Sequence, residues 1–114
     1  MLKIGLVTLA LLASVSPLQA QEKGQIVPVQ ILCSEIEDAL VGASKAATDG
    51  KQAFQQYLAE PDNTCQMLPE HVGAKYVREV RSIVGKMMNI KVHEVENRHG
   101  QKYYIFEVVR DTGA

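Results

Sequence analysis

The apolar positions of this chain change period along its length, and each change marks an element. Ile4 to Val15 is an unbroken apolar run, and Ile26-Val27-Pro28-Val29-Gln30-Ile31-Leu32 reads as a short extended segment. From Ser34 the spacing becomes helical, with Ile36, Ala39, Leu40, Ala43 and Ala47 on one stripe and Glu35, Glu37, Asp38 and Lys45 off it. The last third alternates. Asn89 to Glu96 and Lys102 to Val109 are β-rich runs around Asn97-Arg98-His99-Gly100-Gln101, a turn with glycine where a positive φ is needed. Tyr104, Phe106 and Val108 form one apolar face of the last strand, and Ile90 with Val92 the apolar face of its neighbour, while Lys91, His93, Glu94 and Glu96 keep the remainder partly solvated.

The first run sets the compartment. Lys3 ahead of it, its sub-membrane length, and Ser16-Pro17-Leu18-Gln19-Ala20 behind it are the parts of a secretory signal peptide, residues 1–20. The expected product is one small exported domain, residues 21–114, periplasmic or secreted. No segment of it has membrane-spanning length, so stable insertion of the mature chain in a membrane is not expected.

Pro28 cannot donate to a ladder, which predicts an edge strand from about Val29. Ser34, with Glu37 three residues on, has the form of a capping box. The helical stripe stays in phase through Phe54 and Leu58, so periodicity alone allows one helix from 34 to 59. The cysteines argue otherwise. Cys33 and Cys65 are the only two, and an even count in an oxidising compartment predicts a disulfide. A helix over 34–59 would be about 39 Å long, while the chain from 59 to 65 reaches roughly 20 Å. A disulfide needs the two Cα atoms within about 7 Å. The chain must therefore turn back, and Thr48-Asp49-Gly50 is the stop signal available. Two helices, 34–48 and 51–59, are expected, followed by the loop Pro61-Asp62-Asn63-Thr64 that delivers Cys65.

Residues 69–87 fit two periods. Val72, Tyr76, Val77, Val80, Ile83, Val84 and Met87 make a helical stripe, whereas Tyr76-Arg78-Val80-Ser82-Val84 alternates. The β-branched content, the bracketing Gly73 and Gly85, and a hairpin that needs a third strand favour a strand over 74–84. The fold class expected is α+β: a helical pair tied by one disulfide and packed on a small three- to four-stranded antiparallel sheet or incomplete barrel.

Composition narrows the chemistry. Trp is absent and Phe occurs only at 54 and 106, so Val, Ile, Leu, Met and the four tyrosines must build the core. Residues 21–68 carry three lysines against seven acidic residues, and 69–114 carry eight basic against six acidic. That excess is far below a nucleic-acid footprint, and no nucleic-acid partner is expected. The chain has no G-x-S-x-G, no H-E-x-x-H, no phosphate loop and no EF-hand. Glu35, Glu37 and Asp38 are explained by the positive end of a helix. No catalytic residue and no cofactor are expected. His71, His93 and His99 are the candidate metal ligands, to which Met67, Met87, Met88 and Cys65 could add soft ligands for copper. They stand at no ligand spacing and read as solvent-facing histidines and core methionines, without a metal site.

Tyr103 and Tyr104 are neighbours on a strand, so one should be buried and the other exposed. An exposed tyrosine among Arg98, Lys102 and Arg110 is the candidate binding surface, for an acidic protein or a glycan of the cell envelope, and reads equally as an edge strand defended by charge.

Ile31-Leu32-Cys33 before Ser34, the Phe54-x-x-Tyr57 end of the helical part, and the hairpin from Val92-x-x-Val95 to Tyr104 follow one another in an order that resembles many small exported bacterial proteins of unknown function. The resemblance implies compartment and architecture and transfers no functional residue. The function expected is that of a non-catalytic binding or accessory module, such as an inhibitor of an envelope protein. The alternatives are a structural or stress-related component of an envelope assembly, and a small metal carrier.

Overall fold

The computed structural model describes residues 22–109; the expected signal peptide, its cleavage site and Arg110 lie outside the described residues. The elements follow in the order β1 (Ile26–Cys33), α1 (Ile36–Asp49), α2 (Lys51–Ala59), β2 (Cys65–Val84), β3 (Asn89–Glu96) and β4 (Lys102–Val109). All strand pairs are antiparallel, and the four strands close into a barrel in chain order. This is the expected α+β architecture, with the disulfide Cys33–Cys65 in place. Among the described residues no helix is long and apolar enough to cross a membrane.

Strand β2 makes closure possible. It is 20 residues long, and its first half pairs with β1 while its second half pairs with β3, so that Lys75 stands opposite both Ile26 and Glu96. A strand of that length bends through bulges. The ladder is interrupted between Tyr76 and Arg78, between Glu79 and Arg81, and most strongly where the register jumps from Val29 opposite Val72 to Ile31 opposite Met67. That last irregularity takes up Pro69, which has no N–H for a ladder. Gln30 Nε2 braces it by donating to the Leu68 carbonyl at 3.2 Å. The barrel is sealed between β1 and β4 by one pair, Cys33 opposite Tyr104. Elsewhere β1 has a ladder on one side only, so Pro28 is tolerated inside the strand, which begins at Ile26 rather than near Val29.

The helices part at Gly50, as the disulfide requires. Its φ is +98°, its N–H donates to the Ala46 carbonyl at 2.9 Å, and α2 starts at the next residue. The start of α1 differs from expectation. Ser34 does not cap it; Glu35 occupies the cap position without a side-chain bond. The hydroxyl comes from across the disulfide loop. Thr64 Oγ1 accepts the Glu35 N–H at 3.1 Å and donates to Asp38 Oδ2 at 2.7 Å, and the Thr64 N–H donates to the same oxygen at 2.9 Å.

Two cores lie on opposite faces of the sheet. Inside the barrel are Val27, Val29, Leu32, Ala74, Tyr76, Val95 and Ile105. Outside it, Ala39, Ala43, Ala46 and Ala47 of α1 pack with Tyr57, Ile90, Val92 and the disulfide. Small residues let this helix come close. A Cβ on Gly42 would lie 3.2 Å from the Tyr57 ring, and one on Gly85 would overlap the Ala47 carbonyl. The turn after β2 uses that proximity to finish α1, with Met87 N–H donating to the Ala47 carbonyl at 2.8 Å.

Because β3 packs against protein on both faces, His93 and Glu94 are buried, correcting the partly solvated remainder expected for them. Neither Tyr103 nor Tyr104 is fully exposed. Both are half-buried, Tyr103 against the barrel core and Tyr104 against the helix-side core.

Candidate binding site

The hairpin register matches the alternation read from the chain: Ile90, Val92 and Glu94 stand opposite Val108, Phe106 and Tyr104. This face of the sheet turns toward the helices. α2 covers it incompletely. Phe54 meets Phe106 edge to face, with ring centroids 5.0 Å apart, and beyond that contact a cleft of about 440 Å³ opens between α2 and the strands. Phe54 and Leu58 line it from α2, Ile31 from β1, Met67 from β2, and Ile90, Phe106 and Val108 from the hairpin, with Ala46 and Met88 completing the wall. Its polar lining is Lys51 and Gln55, one helical turn apart at the start of α2. Met67 and Val108 are 58% and 59% exposed, so apolar side chains face the solvent here. A volume of this size lies within the range of small-molecule sites.

The buried polar groups form a separate system. His93 is 2% exposed; its Nδ1 lies 2.9 Å from the Tyr76 hydroxyl and its Nε2 lies 2.8 Å from Glu107 Oε1. Tyr76, His93 and Glu107 therefore form one continuous hydrogen-bonded chain through the barrel interior. Burial, followed by the nearby Glu79 and Glu107 charges, raises the Tyr76 pKa above its usual 10. On the other face, Glu94 receives Arg78 Nε at 2.8 Å and Lys102 Nζ at 3.4 Å.

The surface expected from sequence is dispersed. Lys102 turns outward to Glu94, Tyr103 leans into the barrel core with its hydroxyl 3.4 Å from Gln101 Oε1, and Arg98 is exposed in the turn. Adjacent strand residues face opposite ways, so Lys102 and Tyr103 do not share a patch. The histidines do not converge either: both ring nitrogens of His93 are engaged inside the barrel, while His71 and His99 are exposed. Among the described residues no group of three or more His, Cys, Asp or Glu is placed to hold a metal ion.

The helical stripe through Phe54 and Leu58 and the strand face of Phe106 and Val108 were legible in the sequence, but the cleft between them was not. The available signal was the Tyr104-Phe106-Val108 face, apolar at every alternate position to the end of its strand. The His93–Glu107 contact was hidden because the two are diagonal neighbours across the hairpin, visible only once the register is known. Compared with protein-family models, with curated proteins and with solved structures, the chain matches none of them.

Proposed function

We propose that this protein is a non-catalytic binding module of an extracytoplasmic compartment and that it takes an apolar ligand in the cleft between α2 and the barrel wall. The observation that carries the reading is the uncovered apolar lining around Phe54, Met67, Phe106 and Val108. The disulfide and the apolar N-terminal run of the sequence support export. The linked group Tyr76–His93–Glu107 is buried within the barrel, which supports a structural role for it.

The test is uptake of a neutral apolar fluorophore, Nile red, by the disulfide-intact exported protein. Saturable emission at one dye per chain is expected, and Met67→Glu with Val108→Lys should abolish it without changing Tm, since both positions are exposed. Emission that the double variant leaves intact would place the apolar surface elsewhere and overturn the reading.

A further inference from the structure

We propose that the ligand of this cleft is a long-chain alkyl carboxylate, with its tail along Phe54, Phe106 and Met67 and its carboxylate at Lys51; this rests on the cleft reading above. Charge complementarity points to the head group. Lys51 is the one charged residue in the lining, is exposed, and makes no ion pair among the described residues. No acidic side chain lines the cleft. Lys51 also opens α2, where the positive end of the helix dipole adds to its own charge, and Gln55 offers an amide donor one turn further along.

The nature of the lining points to the tail. A peptide laid in this cleft would bring a backbone N–H and C=O at every residue to a wall that offers two polar side chains. Such groups are costly to bury unpaired. An alkyl chain brings none, and its affinity scales with the methylenes it removes from water.

Calorimetric titration of the disulfide-intact protein with octanoate, decanoate, dodecanoate and decanol tests this. One carboxylate should bind per chain, tightening by up to about fourfold for each added methylene. Lys51→Glu should weaken decanoate about tenfold by turning attraction into repulsion, and leave decanol within about twofold. If decanoate and decanol bind alike and Lys51→Glu moves neither, while Met67→Glu removes both, the carboxylate assignment is overturned and the cleft reading stands. If no alkyl probe binds although Nile red does, the assignment likewise fails alone. If neither the alkyl probes nor Nile red binds, both fall. Sedimentation equilibrium showing a dimer that Met67→Glu dissociates, with no alkyl binding, would replace the ligand by a second copy of the chain.

Discussion

Thr64 and Asp38 are joined twice: the Thr64 hydroxyl and its backbone N–H both donate to Asp38 Oδ2, at 2.7 and 2.9 Å. The pair fastens the loop that carries Cys65 to the first turn of α1, so the covalent link and the helix start reinforce one another. It also sets a pH response. The side-chain bond from Thr64, then its backbone bond, hold the Asp38 pKa below its ordinary 3.8. A carboxyl depressed in the folded state stabilises fully above 3.8, and that contribution decays as pH falls from there through the lower folded value. Thr64→Val keeps the backbone bond and removes the stronger one. Urea midpoints measured at a series of pH values should therefore fall less steeply below pH 4 in the variant. Equal slopes would show that Thr64 does not set this titration.

The disulfide closes the segment containing both helices, with a sequence separation of 32. Replacing Cys33 and Cys65 together by Ser should cost about 3–4 kcal/mol in the chain-entropy account. For a domain this small, urea unfolding should then show an appreciable unfolded fraction before denaturant is added. A loss under about 1 kcal/mol would mean that Thr64–Asp38 and the β1–β2 ladder hold the loop in the unbridged chain.

Gly85 allows the turn after β2 to lie against the end of α1. A methyl there would overlap the Ala47 carbonyl, which also accepts the Met87 N–H. Because the obstacle is backbone, relief requires moving the helix or the turn. Gly85→Ala should destabilise by about 2–3 kcal/mol, read from the urea midpoint at unchanged m-value. Gly24→Ala has open space around its Cβ but a φ of +91°, so it reports the conformational penalty without the clash.

The Tyr76–His93–Glu107 network should behave as a unit. Tyr76→Phe removes one hydrogen bond and should cost about 1 kcal/mol. His93→Leu removes both bonds and strands the Tyr76 hydroxyl in the barrel core, so about 2–4 kcal/mol is expected. The double variant should be less destabilised than the sum of the two, because the hydroxyl is gone. Strict additivity in that cycle would show that the two residues are not coupled.

What the sequence by itself determined is local, or follows from local arithmetic. Alternation and the Asn97–Gln101 turn are enough for the hairpin and its register, since a slip of one residue would exchange its faces. The reach of six residues against the length of an unbroken helix is enough to break the helical stripe at Gly50. The tertiary structure decided what depends on partners distant in sequence. Alternation on β3 and β4 identifies an apolar face only where the other face meets water. Here the barrel encloses one face and α1 covers the other, so His93 and Glu94 are buried at positions that read as polar. The helix cap was supplied by Thr64 across the disulfide loop instead of by Ser34. The cleft runs along α2 from Lys51 to Leu58, between that helix and Ile31, Met67, Phe106 and Val108 of three strands, and leaves Met67 and Val108 exposed. No periodicity in α2 or β4 records it, because it is a gap between elements distant in sequence and not a property of either.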